Sequence, residues 1–179
     1  MRWCPTFLRT TTVLAGILVL VLLPIRPAGA GVQPTSGPFG LFSFHLPSGW
    51  ILQVARSEAN LQVYHATDSA AALYIEVVEA QYKDVQEAAD RIVAIYDSPW
   101  GLANFAIREQ PLELDVGGFA GLMLSYSYQT AASQPVFETR VITLYRDHLV
   151  SVSVASETAE HLGPMLEDVL ATWRWIPND

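Results

Sequence analysis

The stretch FSFHLPSGW, residues 42–50, determines how the fold begins, because it holds a strand, a turn and the start of a second strand. Phe42, Phe44 and Leu46 alternate with more polar residues, which is the two-residue period of a half-buried β-strand. Pro47-Ser48-Gly49 is typical of a tight turn, since proline presets φ and glycine tolerates positive φ. The segment Trp50–Ala55 is then predicted to return as a second, antiparallel strand.

Two more strands and a helix follow. Residues 61–65 alternate, with Leu61, Val63 and His65 on one side, and residues 72–79 alternate in the same way. The period then changes to three and four residues, which predicts an amphipathic helix over 84–96 with acidic residues in its first turn. Residues 98–101, Ser-Pro-Trp-Gly, are expected to end that helix.

A second group of strands leads to a C-terminal helix. Strands are predicted over residues 105–114, 120–128, 136–146 and 149–155, with a glycine-rich turn at 115–118 and a two-residue hairpin loop at Asp147-His148. The last helix is predicted over residues 158–173, or from Pro164 onward, because proline is favoured in a first helical turn. Two runs of strands that each end in a helix indicate an α+β fold with an antiparallel sheet.

The first thirty residues have the order of a secretory signal peptide. A basic head with Arg2 and Arg9 precedes an apolar run over residues 13–25, and Ala28-Gly29-Ala30 is a cleavage site of the A-x-A kind. Export to the cell envelope or beyond is therefore expected, with a mature chain from Gly31. Retention as an N-terminal membrane anchor is the alternative, and the run is short for a span. Cys4 lies ahead of the apolar run, so it is not placed for lipid attachment to a mature N-terminus.

These boundaries leave one domain. Residues 31–38 are small and turn-prone and are predicted to form a short flexible tether, and residues 39–177 are predicted to form a single α+β domain. After residue 30 there are seven basic and eighteen acidic residues, a net charge of −11, and no cysteine. The charge disfavours binding to nucleic acid and to anionic membrane surfaces. The lack of cysteine excludes disulfides and zinc–cysteine sites there.

The element order and several short motifs resemble the PsbP-like fold family. The resemblance is carried by residues 42–50, by Val116-Gly117-Gly118-Phe119-Ala120-Gly121, by the helix after the fourth strand and by the aromatic-ended segment Leu166–Trp175. This family includes the extrinsic lumenal subunit of photosystem II, a Ran-binding nuclear import factor and many exported bacterial domains of unknown role. The likeness covers essentially all of the chain after residue 30. It implies an antiparallel sheet sandwiched between helices, and protein binding without a shared catalytic motif.

No catalytic, cofactor or metal site is predicted. The four histidines, His45, His65, His148 and His161, show none of the close spacings that bring metal ligands together. Asp84, Glu87 and Asp90 share one helix face and one environment, which is unsuited to acid–base work by a carboxyl pair. A nucleophile elbow and a phosphate-binding glycine loop are both absent from the sequence.

Aromatic residues are the remaining candidates for function. Trp50, Trp173 and the strand tyrosines fall on apolar faces and are expected in the core. Trp100, in a loop flanked by proline and glycine, and Trp175, beyond the last helix, are harder to bury by pattern. Tryptophan is enriched among the residues that dominate protein interfaces, so these two are the candidate interaction residues.

Three hypotheses for function follow. The first is a non-enzymatic exported accessory domain that binds an envelope or extracellular protein through a few aromatic residues. The alternative is a domain that binds a small molecule or cation in a pocket between sheet and helix. An enzyme built from His45, His65 and scattered acids is the third, and the sequence offers it no recognisable motif.

Overall fold

The computed structural model describes residues 34–177, and strands are the commonest secondary structure among them. Eleven strands and two α-helices occur there, together with two short 3-10 turns at residues 38–40 and 54–56. In chain order they are β1 Thr35–Ser36, β2 Phe42–Phe44, β3 Trp50–Leu52, β4 Leu61–Ala66, β5 Ala72–Glu79, α1 Val85–Tyr96, β6 Ala103–Ile107, β7 Leu112–Val116, β8 Phe119–Gln129, β9 Pro135–Tyr145, β10 His148–Ser156, α2 Leu162–Ala171 and β11 Arg174–Trp175.

The large sheet has eight antiparallel strands in the order β3-β4-β5-β10-β9-β8-β6, and β7 also pairs with β8. Strands β6 and β7 share one edge of β8, where Ala106 lies opposite Ser127 and Leu112 lies opposite Met123. Strand β10 is central and pairs along its length with β5 and β9. A second sheet of three short strands, β1-β2-β11, brings the two ends of the described chain together.

The helices pack on opposite faces of the large sheet. Val150, Val152 and Val154 belong to the hydrophobic cluster that includes Leu166 of α2, whereas their neighbour Leu149 belongs to the cluster beneath α1. Successive side chains of a strand point to opposite faces, so the two clusters lie on the two sides of the sheet. The predicted α+β fold, with an antiparallel sheet between helices, is confirmed.

The small sheet completes the core on the α2 side. The Phe42 ring stacks on Trp173 with centroids 4.0 Å apart, and Phe44 stacks on the same indole at 5.8 Å. Trp173 is fully buried, and so are Phe42 and Phe44. The alternation of residues 42–46 therefore places its aromatic side inward, as predicted. Trp50, also predicted in the core, is only half-buried, because β3 is an edge strand that packs against the cluster from one side.

Both helix starts are determined by local chemistry. The Asp84 carboxylate accepts a hydrogen bond from the Glu87 N–H at 2.9 Å, and the Glu87 carboxylate accepts one from the Lys83 N–H at 2.7 Å. The first bond satisfies one of the backbone donors that a helix start leaves unpaired, and the second ties the first turn to the residue before the cap. Helix α2 begins at Leu162, between the two predicted starts, because His161 adopts a left-handed conformation with φ 68°.

Three other boundaries differ from the predictions. The strand expected over residues 105–114 is two strands, β6 and β7, because the break contains Pro111, which cannot donate to a ladder. The β9–β10 turn lies at Arg146-Asp147, one residue early, because Arg146 takes the left-handed conformation and His148 pairs with Tyr145. The strand expected over 50–55 ends at Leu52, where a 3-10 turn follows.

The N-terminal predictions have two outcomes. Thr35 and Ser36 pair with Phe44 and Ser43, so the segment predicted as a flexible tether joins the small sheet from residue 35. The signal peptide predicted over residues 1–30 lies outside the described residues. Between residues 34 and 177, neither helix is long and apolar enough to cross a membrane.

Replacing Leu166 by alanine tests the core on the α2 side. Leu166 is fully buried, so the variant is expected to lose about 2–5 kcal/mol of unfolding free energy through lost transfer and the cavity left behind. The measurement is urea unfolding followed by tryptophan fluorescence. The exposed neighbour Glu167→Ala is the control and should change stability by less than about 0.5 kcal/mol. Equal midpoints for Leu166→Ala and the wild type would contradict the core assignment.

Candidate interaction site at the end of helix α1

Trp100 lies in the loop that follows α1, and its side chain is 96% exposed. Ile95, the penultimate residue of α1, is 51% exposed. A large aromatic side chain with almost no intramolecular contact area contributes little to folding, and such residues are common anchors at protein interfaces. Trp100 thus meets the first requirement for the interaction role that the sequence predicts, which is accessibility.

The loop that carries Trp100 is held by its own hydrogen bonds. The Ser98 hydroxyl donates to the Ile95 carbonyl at 2.7 Å, the Gly101 N–H donates to the Ser98 carbonyl at 2.9 Å, and the Leu102 N–H donates to the Tyr96 carbonyl at 2.9 Å. A side chain at residue 101 would collide with the carbonyl oxygens of Ile95 and Tyr96, so glycine is required there. A loop fixed in this way loses little entropy on binding.

A cluster of aromatic rings fixes the end of α1 to the sheet. The Tyr96 ring lies 5.9 Å from Phe105 and 5.7 Å from Tyr126, and Phe105 lies 5.4 Å from Tyr126. Tyr126 belongs to β8 and Phe105 to β6, so the three rings join the residues on both sides of the Trp100 loop to one strand. Pairs in this range of geometry add stabilisation beyond the area that they bury.

A buried ion pair lies beside these rings. The Arg140 guanidinium donates two hydrogen bonds to one Glu138 carboxylate oxygen, at 3.0 and 3.2 Å, and lies 4.0 Å from the Glu76 carboxylate. The side chains of Arg140 and Glu138 are 14% and 7% exposed. The Arg140 guanidinium also lies 5.6 Å from the centre of the Tyr96 ring, a cation–π contact that connects β9 to α1.

The ion pair and the burial shift the pKa values of the surrounding groups. Burial raises the pKa of Tyr126 and Tyr128, with a further increase from the Glu138 carboxylate. Burial also raises the pKa of Tyr96, against the opposing effect of Arg140. For Arg140, burial lowers the pKa, but Tyr126, Glu138 and Tyr96 together raise it overall. These tyrosines therefore stay protonated at neutral pH, as hydrogen-bond donors and ring surfaces rather than as bases.

The ion pair and the rings beside it were not predicted from the sequence. The sequence feature that indicates the pair is the Glu138-Thr139-Arg140 triplet, which places two opposite charges on one face of a largely apolar strand. Charged residues at such positions are rare unless they are paired.

Trp175, the second candidate, has a different environment. Its indole stacks on Tyr145 with centroids 4.1 Å apart, and its Nε1–H donates to the Val116 carbonyl at 2.7 Å. The side chain is half-buried and packs against the core on the α2 side. Through these contacts, Trp175 attaches strand β11 to the large sheet. Its interaction role stays a prediction.

The histidines and the helix acids are not brought together. His65 contacts Arg56, with 2.6 Å between its Nε2 and the guanidinium, whereas His45 is exposed and His161 precedes α2. Within residues 34–177 no three histidine or acidic side chains are placed to hold a metal ion. Asp84 and Glu87 cap α1, and Asp90 accepts from the Gln86 amide at 2.8 Å.

Replacing Glu138 by glutamine tests the ion pair. The change leaves Arg140 buried without its main counter-charge, so it is expected to lower the unfolding free energy by about 3 kcal/mol. Urea unfolding measures the loss, with the exposed Glu79→Gln as the control. The double variant Glu138→Leu with Arg140→Met should be more stable than Glu138→Gln alone. A Glu138→Gln protein as stable as the wild type would contradict the contribution assigned to the pair.

Alkaline titration tests the tyrosine environments. Burial raises the pKa of Tyr64 to about 12 and also raises the pKa of Tyr96, Tyr126 and Tyr128. In the unfolded chain tyrosines ionise near pH 10. The unfolded state therefore releases protons first, and stability should fall as the pH rises from about 10 to 12. Phenolate absorbance should show these four groups ionising only as the protein unfolds. Their ionisation near pH 10 in the folded protein would contradict the burial.

Comparison with known proteins gives the fold its context. No protein-family model matches the sequence, and no curated protein matches it. Solved structures do match. One is the cyanobacterial PsbP protein, CyanoP, of Synechocystis sp. PCC 6803, with a TM-score of 0.60 and 15% identity over 83% of this chain and 96% of that one.

Two further structures are similar. LpqN of Mycobacterium tuberculosis, described as involved in cell envelope biogenesis, has a TM-score of 0.57 and 12% identity over 84% of this chain and 88% of that one. A protein of Bacteroides thetaiotaomicron has a TM-score of 0.58 and 14% identity, and the match covers 82% of this chain and 49% of that one. With these likenesses and the sheet and helices described above, the chain has a PsbP-like fold.

Proposed function

We propose that this protein is a non-enzymatic accessory domain of the cell envelope or the extracellular space, which binds another protein through the Trp100 loop. The observation that carries the proposal is the almost complete exposure of Trp100 on a loop whose backbone is held by hydrogen bonds. An aromatic anchor that is already ordered binds at low entropic cost.

The surroundings of Trp100 define the kind of partner. Ile95, at the end of α1, also exposes apolar surface, and the acidic residue Asp97 lies exposed between it and Trp100 in the chain. We therefore infer a partner with an apolar pocket for the indole and a basic rim around it. The net charge of −11 after residue 30 would orient such a partner during its approach.

Two further points support a binding role over a catalytic one. Among residues 34–177, the charged groups buried beneath α1 are the Arg140–Glu138 pair, and raised pKa values keep the neighbouring tyrosines protonated. That arrangement holds α1 and its loop on the sheet and offers no base or nucleophile at neutral pH. The fold is also shared with LpqN, whose structure is described in terms of cell envelope biogenesis, which fits the predicted export of this chain.

Affinity purification from the cells that make the protein tests the proposal. The full chain with a C-terminal tag would be compared with Trp100→Ala, Trp100→Phe and the control Val54→Ala, an exposed apolar residue on the far edge of the sheet. Loss of an aromatic anchor costs on the order of 2 kcal/mol or more, which is about thirtyfold in affinity. A specific protein should be recovered by the wild type and Val54→Ala, lost with Trp100→Ala and partly kept with Trp100→Phe.

The dependence of recovery on salt concentration is a second measurement on the same samples. Recovery should fall as the salt concentration rises, because screening weakens the attraction between an acidic surface and a basic rim. A partner recovered equally by the wild type and Trp100→Ala would contradict the assigned site. Absence of any specific partner in all four samples would contradict the interaction function itself.

A further inference from the structure

A cavity of about 370 Å³ lies on the α2 side of the sheet, opposite the face that α1 covers. Its walls come from β8 and β9, from the residues after β6 and from the start of α2. Met123, Phe137, Leu162 and Pro164 supply apolar surface. A cavity of this size, which combines apolar walls with several polar groups, is large enough to hold a small molecule.

Arg108 provides the positive charge of the cavity. Its guanidinium lies 5.7 Å from the centre of the Phe137 ring, a contact that holds it at the wall. Among residues 34–177 no carboxylate lies within ion-pairing distance of Arg108, and its guanidinium donates no hydrogen bond. Its donors are therefore available to a ligand. Arg108 is exposed as well as lining the cavity, so a ligand arriving from solvent can reach its guanidinium.

Two hydroxyl groups lie together on the cavity floor. Ser125 of β8 is directly opposite Thr139 of β9 in the sheet, and both line the cavity. Neither side-chain hydroxyl forms a hydrogen bond with another described residue, and neither oxygen is fully buried, so both are accessible from the cavity. Both hydroxyls can therefore donate to a polar ligand atom.

We propose that this cavity binds a small monocarboxylate with an apolar body. The carboxylate would accept hydrogen bonds from Arg108, whose planar guanidinium matches it in a bidentate way, and from the hydroxyls of Ser125 and Thr139. The apolar body would lie against Phe137, Met123 and Leu162. Glu109 and Glu138 also line the cavity, so a second negative charge on the ligand would be repelled. Binding of this ligand does not require the partner proposed for the Trp100 loop.

The test compares acids with their uncharged analogues. The full chain is titrated with hydrocinnamate, octanoate and phenylacetate, and with hydrocinnamyl alcohol, octanol and phenylethanol, while amide proton–nitrogen correlation spectra are recorded. At least one acid should bind saturably with a Kd on the order of 1 mM, which suits a fragment of this size, and its alcohol should bind at least about tenfold more weakly. The shifted resonances should come from the residues that line the cavity.

Variants separate the Arg108 site from nonspecific binding. Arg108→Met should weaken binding of the acid by at least about tenfold, and Arg108→Lys should keep part of the affinity, because lysine keeps the charge and loses the fork. Arg91→Met, an exposed arginine on α1 across the sheet, is the matched control and should bind like the wild type. Unchanged spectra away from the cavity establish that each variant is folded.

Three results would overturn the proposal. They are the absence of saturable binding for all three acids, equal binding of an acid and its alcohol, and equal binding by Arg108→Met and the wild type. None of them bears on the partner expected at the Trp100 loop.

Discussion

The pairing of β10 with its two neighbours is the interaction on which the rest of the fold depends. This strand exchanges hydrogen bonds with β5 and β9 along nearly its whole length and is buried on both faces. Its two faces differ in composition. Valines face α2, whereas Leu149, Ser151 and Ser153 face the α1 side. A strand covered on both sides aligns the strands around it and sets where each helix packs.

The difference between the two faces accounts for the polar cluster under α1. The α2 side is filled mainly by valines, leucines and the Phe42–Trp173 aromatic stack. The α1 side contains Arg140, Glu138 and tyrosines, so its packing depends on charge pairing and directed contacts. Such groups specify one arrangement of helix on sheet more narrowly than an apolar surface does, because misplacement leaves a charge unpaired. The position of the Trp100 loop follows from that arrangement.

The two proposed sites use different physics and lie in different parts of the domain. The Trp100 loop offers an exposed ring on a fixed backbone, which suits a large partner that brings its own pocket. The cavity beside Arg108 is concave and offers a local positive charge within an acidic protein, which suits a small anion. A fold shared with proteins as different as CyanoP and LpqN does not decide between such roles, because function depends on the sites that a chain carries on its fold.

The fold class could be predicted from the sequence alone. Alternation of apolar residues indicates strands, the change of period at residue 84 indicates a helix, and both patterns are local. The sequence also located Trp100 correctly in an exposed loop, since Pro99 and Gly101 interrupt the helix. Where boundaries differed from the prediction, local and distant causes both contributed. Pro111 divides residues 105–114 into two strands, whereas the partial burial of Trp50 depends on strands that are distant in sequence. Only the tertiary structure brought Arg140 to Tyr96 and Arg108 to a cavity, because the register of β8, β9 and the helices decides which distant side chains meet.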